Sequence, residues 1–383
     1  MGSIALESPD TAAGDAAADG PRLIYATPEE LAAARYDNAN VQAALEALHQ
    51  DGFVVLKGVV DVAHVEAISA YMNVEADELV RNNAKPFNQG VNSNILQGPP
   101  LKDEKYLYND IFFNPFVIQL MNTFVFPYTL PLFSPVVHLS HPHCKPPIPT
   151  PFHPPQLFNP PLQNILTPIF TPLTTQRNSY LGATPIWNFL TGNNALPKTS
   201  NLRQPVHKDI VFYHPQCPFF VIANIPLCPF NPSTGSTEFW LGSHAHTSGH
   251  DQVIAKQTDT LTNARLRVGE PICNVREEVV EERRKVRPPV QPVCEKGDVM
   301  LRDLRTWHAG MPNESEEYRI MLALGYQAQW YPNHTLRCKL PLSQGNFFMK
   351  HGGQPVEVRA DLLPDDSDFQ KLNDVFSFRH TND

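Results

Sequence analysis

Between residues 111 and 176 the chain carries a single charged side chain, Lys145, and residues 121–180 hold 14 of its 38 prolines. At the chain-wide charged fraction of 18%, about twelve charges are expected in that window. Proline fixes φ and lacks the amide hydrogen, so it breaks the interiors of helices and sheets, and a folded surface needs charge. The stretch is therefore neither ordinary core nor ordinary surface. The text on either side joins sensibly without it: Met121-Asn122-Thr123 would run on into Tyr180-Leu181-Gly182-Ala183-Thr184-Pro185-Ile186-Trp187. Residues 124–179 read as an insertion, either a lineage-specific loop or translated non-coding sequence such as a retained intron. What remains, roughly 325 residues, suits one domain better than two. The expected organisation is a disordered tail over 1–20 and a single domain over 21–383, interrupted at 124–179.

Hydrophobic residues make up 42% of the 383, enough for a real core. The formal net charge of −9 argues against a nucleic-acid partner, which needs a basic face. Residues 1–20 have neither a basic start nor an apolar run, so they do not read as a secretory signal. No run of 18 apolar residues occurs; the nearest, Phe124–Leu139, is broken by Pro127, Pro131 and Pro135, so no membrane span is expected. The six cysteines, Cys144, Cys217, Cys228, Cys273, Cys294 and Cys338, contain no Cys-x-x-Cys pair. Free thiols in a reducing cytoplasm are the expectation. The sequons at Asn313 and Asn333 then read as chance matches.

Residues 38–50 have helical spacing through Val41, Leu45 and Leu48, and Asp51-Gly52 ends the segment. Phe53–Leu56 reads as a buried strand. Asp61 is a good N-cap for a second helix through Val65, Ile68 and Met72. From Ile186 onward, β-type runs alternate with turn residues: Ile186–Leu190, Val206–Tyr213, Phe219–Ile225, Glu238–Leu241, Asp298–Leu301 and Arg319–Tyr326. That texture suits a β-sandwich or barrel. Arg276–Arg287, crowded with charges of both signs, reads as a solvated helix or loop.

Among 15 histidines, His-x-Asp/Glu occurs at His49-Gln50-Asp51, His64-Val65-Glu66 and His207-Lys208-Asp209. On a helix, residues i and i+2 diverge and cannot chelate one ion; on a strand they share a face. His49 and His64 lie in helical text. His207 and Asp209 open a β-type run whose one face would present His207, Asp209, Val211 and Tyr213. A third ligand is offered by Lys296–Gly310, where Gly297-Asp298 is a turn signal, a short apolar strand follows, and His308 precedes Gly310. After the polar turn Pro312–Glu316 a second strand starts at Arg319. Strands joined in this way are expected to be neighbours, with Arg319 beside the site and its rigid fork suited to a carboxylate. Two imidazoles and one carboxylate with open positions describe the facial triad of non-haem Fe(II) oxygenases. Taken singly, His308 would more often be a packing residue and Arg319 a surface charge; the joint pattern favours the site.

The chain resembles the phytanoyl-CoA dioxygenase-like family of Fe(II)/2-oxoglutarate oxygenases. The matching stretches are Gln204–Asp209, Asn231–His244 with its Gly-Ser-Thr-Glu-Phe-Trp-Leu-Gly-Ser-His ending, and Gly297 through His308 and Gly310 to Arg319. Trp187–Asn193 also has the family look. The resemblance covers about 30–123 and 180–350. It implies Fe(II) on His207, Asp209 and His308, the distal carboxylate of 2-oxoglutarate on Arg319, and Gln204 and Thr237 touching that cosubstrate. It also implies O2 as second cosubstrate. The implied fold is mainly β with flanking helices, a double-stranded β-helix (a jelly-roll, cupin-like barrel). The implied reaction is hydroxylation of a small-molecule substrate, with desaturation or ring formation as variants; no residue beyond the metal ligands is assigned to catalysis. A homodimer is compatible with such a fold.

Three other readings stand beside this one. A cupin-like metal site could use His244, His246 and His250, but residues 251–260 offer no glutamate, and His244 reads as part of a Gly-Ser-His turn. His141, His143 and Cys144 cluster inside the insertion. A retained barrel could also serve non-catalytic binding. Substrate loops are expected at 85–105 and 245–295. Neither contains a clear coenzyme A site, so fatty acyl-CoA hydroxylation is the lesser alternative to tailoring of alkaloid, terpenoid or polyketide secondary metabolites.

Overall fold

The computed structural model describes residues 20–84, 88, 93–122, 184–256 and 267–381. The proline-rich stretch 124–179, the tail 1–19 and the cluster His141, His143 and Cys144 lie outside the described residues, as does most of 85–92.

The N-terminal third runs β1 (Leu23–Tyr25), α1 (Pro28–Ala33), α2 (Asn38–Asp51), β2 (Phe53–Lys57), α3 (Val62–Arg81), β3 (Asn94–Leu96), α4 (Asn109–Phe112) and α5 (Pro115–Asn122). Its helix ends follow local chemistry. The Asp37 side chain accepts from the Asn40 N–H to start α2, and Asp61 accepts from the Ala63 N–H to start α3. Gly52 ends α2 at φ +66°, the left-handed cap that glycine adopts without strain. Val65, Ile68, Met72 and Ala76 form the buried stripe of α3.

The remainder contributes β4 (Ile186–Ala195), β5 (Phe220–Pro226), β6 (Glu238–Phe239), β7 (Gln252–Ile254), β8 (Pro271–Val275), α6 (Glu277–Val286), β9 (Val299–Asp303), β10 (His308–Ala309), β11 (Met321–Gln327), β12 (Cys338–Pro341), α7 (Gly345–Lys350), β13 (Glu357–Val358), β14 (Ala360–Leu363) and α8 (Phe369–Leu372). The large mixed sheet has the order β1-β2-β9-β5-β11-β4-β13, with β3 also paired to β4. A smaller layer is stitched from short pairings. His207 bridges both Asn274 and His308, His308 pairs with Phe239, and Phe239 bridges Val290.

Strand alternation shows how the layers face each other. Val54 and Leu56 of β2, with Val299 and Leu301 of β9, belong to the main core that also takes in α2, α3 and α5. Their neighbours Phe53, Val55 and Met300 point the other way, into a cluster with Phe230, Phe239, Leu241 and Cys294 of the smaller layer. The architecture is mainly β with flanking helices, a jelly roll whose two layers do not close into a continuous barrel. Among the described residues no helix is long and apolar enough to cross a membrane, and no disulfide joins Cys217, Cys228, Cys273, Cys294 or Cys338.

Two expectations need correction. Val206–Tyr213 is not a strand: its ladder contacts are confined to His207, and the rest is irregular backbone. β9 and β11 are not neighbours either, because β5 lies between them. The intervening chain leaves the large sheet, places His308 in the smaller layer, and returns. Alternation between facing layers is the rule in a jelly roll, and it overrides the preference of consecutive strands for each other.

Candidate metal centre

The two histidines meet as a directly opposed backbone pair. The His207 N–H donates to the His308 carbonyl and the His308 N–H to the His207 carbonyl, both at 2.9 Å. Such a pair projects both side chains to one face, and the ring centroids are 4.2 Å apart. Each ring is then oriented by its own chain: His207 Nδ1 lies 2.8 Å from the Pro205 carbonyl and His308 Nδ1 3.1 Å from the Thr306 carbonyl. Donation from Nδ1 leaves each Nε2 lone pair free for a metal.

Asp209 stands where both Nε2 atoms point, with carboxylate oxygens 3.8 Å from His207 Nε2 and 3.5 Å from His308 Nε2. Among the described residues, His207, Asp209 and His308 are the group of three or more potential ligands whose donor atoms converge, all within 4.8 Å of one another. Burial pushes the His207 imidazole below its ordinary pKa and the His308 imidazole well below it. Burial alone would raise the Asp209 carboxyl, but with both imidazoles neutral the Arg302 guanidinium paired with it still holds it below the usual range. At neutral pH the three groups are thus two neutral imidazoles and one carboxylate, the protonation states a divalent metal requires.

Arg302 was not singled out by sequence. It lies on β9 in the large sheet and reaches across the layers, donating from Nη2 to Asp209 Oδ2 at 2.6 Å. The available signal was a charge directly after the apolar run Val299-Met300-Leu301. Lys208, between the two ligands, points away from them. Its buried Nζ meets Thr247 Oγ1, the Ser248 carbonyl and His214 Nε2, and burial lowers its pKa to about 7.

Arg319 is fully buried. Its Nη1 donates to the Asn193 carbonyl at 2.9 Å, while Nε and Nη2 have no partner among the described residues. Those two N–H groups form one edge of the guanidinium, the edge that takes a carboxylate through two parallel hydrogen bonds. Burial lowers its pKa to about 10, so the group stays charged at neutral pH. Gln204 accepts from the Gly310 N–H through Oε1 at 2.9 Å, leaving Nε2 unpaired, and Thr237 Oγ1 is buried and unpaired. Unpaired buried donors are costly, so four of them, on Arg319, Gln204 and Thr237, indicate a polar occupant. The donor sets therefore fit ferrous iron on the triad and a dicarboxylate keto acid beside it.

Gln204, His207, Asp209, Thr237, Arg302 and His308 share the wall of a cavity of about 650 Å³. Of the expected substrate loops, Asn88, Leu96, Arg267 and Cys273 reach this wall. The C-terminal residues Val375–Thr381 also line it, which the sequence reading missed. Among the described residues, the other histidine readings do not converge on a metal. His49 and His64 sit in α2 and α3, His64 pairing with Asp110. His244 is buried in the turn after β6, with Nε2 3.2 Å from the His49 carbonyl.

Solved structures with a similar chain path include the epimerase SnoN in complex with Fe3+, alpha ketoglutarate and nogalamycin RO. It is 14% identical, with 86% of this chain and 98% of that one covered and a TM-score of 0.43. The carbocyclase SnoK from nogalamycin biosynthesis is 12% identical, with coverages of 84% and 95% and a TM-score of 0.43. HygX from Streptomyces hygroscopicus, with nickel, 2-oxoglutarate and hygromycin B bound, is 12% identical, with coverages of 84% and 97% and a TM-score of 0.37. The family comparison matches residues 160–321. It begins inside the stretch set apart by composition and contains all three triad residues, Gln204, Thr237 and Arg319. The chain carries a domain of the phytanoyl-CoA dioxygenase (PhyH) family over those residues.

Proposed function

We propose that the protein is an Fe(II)/2-oxoglutarate-dependent dioxygenase that oxidises a small molecule, in the class of alkaloid, terpenoid or polyketide secondary metabolites. The observation that carries the reading is the opposed pair His207–His308 with Asp209 between their Nε2 atoms. His207, Asp209 and His308 would hold the iron. The free edge of Arg319 would take the distal carboxylate of 2-oxoglutarate, with Gln204 Nε2 and Thr237 Oγ1 as further partners. Iron with 2-oxoglutarate and dioxygen supplies oxidation of a substrate C–H bond, with hydroxylation as the ordinary outcome and desaturation or ring formation as variants.

The protein's share is orientation and exclusion of water. The Pro205 and Thr306 carbonyls fix the two rings, and Arg302 fixes one oxygen of Asp209. Phe189, Phe212, Ile222, Leu336, Phe376 and Phe378 give the cavity an apolar chamber, and its volume suits a small molecule rather than a macromolecule. Free thiols suit a reducing, cytoplasmic setting.

The test is purified protein supplied with Fe(II) and 2-oxoglutarate, followed by metal analysis and succinate formation. Stoichiometric iron and succinate, both abolished by His207→Ala, are expected. Protein that binds neither iron nor 2-oxoglutarate would overturn the proposal.

A further inference from the structure

We infer that the substrate is a carboxylic acid with an apolar body, and that Arg302 receives its carboxylate. The inference rests on the oxygenase reading for what happens next, but its evidence is separate. The protein is acidic overall, at −9, yet the charged residues of the cavity wall are Arg267, Arg302, Arg337, Lys339 and Arg379 against the single acid Asp209. Outside the wall, Asp361 pairs with Arg337 and Lys339, and Glu270 with Arg379. Five basic groups thus face three acids. A ferrous ion and Arg319 would add three positive charges and 2-oxoglutarate would remove two, leaving the loaded cavity with an excess of three. A chamber of that sign attracts and retains an anion.

Strand register places Arg302 at the substrate end. Arg302 pairs with Ile222, Ile222 with Gly325, and Gly325 with Phe189, so Arg302 shares its row with the apolar chamber. Arg319 pairs with Ala195, six residues further along β4, a distance of about 20 Å at the strand rise. The two arginines therefore leave the sheet from different rows, Arg302 reaching Asp209 and Arg319 reaching the Asn193 carbonyl. Arg302 is also incompletely used: Nη2 is on Asp209, while Nη1 is buried and unpartnered, in a side chain 6% exposed. A substrate carboxylate on that second prong would sit beside Asp209. The carbons next to the acid, not the far end of the apolar body, would then lie nearest the metal.

The experiment uses the full chain loaded with Ni(II) and 2-oxoglutarate. It measures binding of a panel of aryl- and alkylcarboxylic acids of about eight to fourteen carbons, each against its own primary amide, by ligand-observed NMR. The best acids are expected to bind about tenfold or more tighter than their amides. Arg302→Met should erase that difference, and Arg302→Lys should keep part of it, each variant being compared with the wild type at matched Ni(II) occupancy because Arg302 also holds Asp209. The inference is overturned if no acid binds tighter than its amide, or if a folded, metal-loaded Arg302→Met variant keeps the preference. Failure of the wild type to bind Ni(II) or 2-oxoglutarate is seen before any acid is added and counts against the oxygenase reading alone. The acid–amide contrast on the metal-free protein then decides the Arg302 site.

Discussion

The side-chain oxygen of Asn122 accepts a hydrogen bond from the backbone N–H of Thr184 at 2.8 Å, across 62 positions of sequence. Asn122 ends α5, and its Nδ2 is tied to the Ile118 and Pro355 carbonyls. Thr184 stands two residues before β4. The two ends of the proline-rich stretch are therefore adjacent and anchored, so a short connection can replace what lies between them. A variant lacking 124–179 is expected to fold with an unchanged or higher melting temperature and to bind metal as the full chain does. A second variant lacking only 124–159 keeps the first twenty residues of the family match and should behave in the same way. Loss of cooperative melting in both, followed by circular dichroism, would show the stretch to be integral. Sequencing the transcript separates the two origins, since a message without the stretch identifies a retained intron.

Metal binding should be less sensitive to mild acid than at an exposed histidine pair. Burial lowers both imidazoles from their ordinary value, so fewer protons have to leave when metal binds near pH 6. Affinity is lost only as pH falls through the lowered values. Two unperturbed histidines would lose roughly tenfold or more between pH 8 and 6. Ni(II) titrations at these two pH values are expected to show a smaller loss than that, with less proton release than an exposed pair would give in buffers of different ionisation enthalpy. A tenfold decline would mean that the rings titrate normally.

Much of this was legible in the sequence. Asp61 and Gly52 marked helix ends because capping is local chemistry, read within a few residues. The runs that became β2, β5, β9 and β11 were found to within two or three residues, because strands buried on both faces are uniformly apolar. His207, Asp209, His308 and Arg319 were singled out from sequence; the structure brings the first three together, by a geometry other than the one expected. The His207–Asp209 stretch holds its ligands through one bridge to His308, not as a regular strand. Which sheet a strand joins depends on partners far away in sequence, so the separation of β9 from β11 by β5 left no local mark. The C-terminal wall is invisible for the same reason: Phe376 and Phe378 acquire meaning only against Phe189 and Phe220.

That wall can be tested through Phe378, which is 6% exposed and packs on Phe189 and Phe220 at ring-centroid distances of 5.1 and 4.8 Å. Phe378→Ala removes a buried ring beside the cavity and should cost about 3 kcal/mol in urea unfolding. The space created joins the substrate chamber, so the variant should accept bulkier ligands than the wild type. A stability loss below about 1 kcal/mol would mean that the segment is only loosely seated.

Arg319 presents the opposite balance of stability and function. Its charge is buried with one hydrogen bond made and two N–H groups unpaired, an arrangement that costs stability in the empty protein. Arg319→Met keeps the length of the side chain and removes that cost, so the ligand-free variant should melt at the same temperature as the wild type or higher. The same substitution deletes the edge proposed to take the distal carboxylate. Two charge-assisted hydrogen bonds correspond to roughly a hundredfold in affinity, so the 2-oxoglutarate Kd of the Ni(II)-loaded variant should rise by about that factor. Its thermal stabilisation by 2-oxoglutarate, about 2.7 kcal/mol for a ligand at a hundred times its Kd, should largely disappear. Oxalate carries the two oxygens that chelate a metal and no distal carboxylate, so its binding should be unchanged. Equal losses for oxalate and 2-oxoglutarate would mean that the substitution disturbs the metal site itself and that Arg319 does not hold the far end of the cosubstrate.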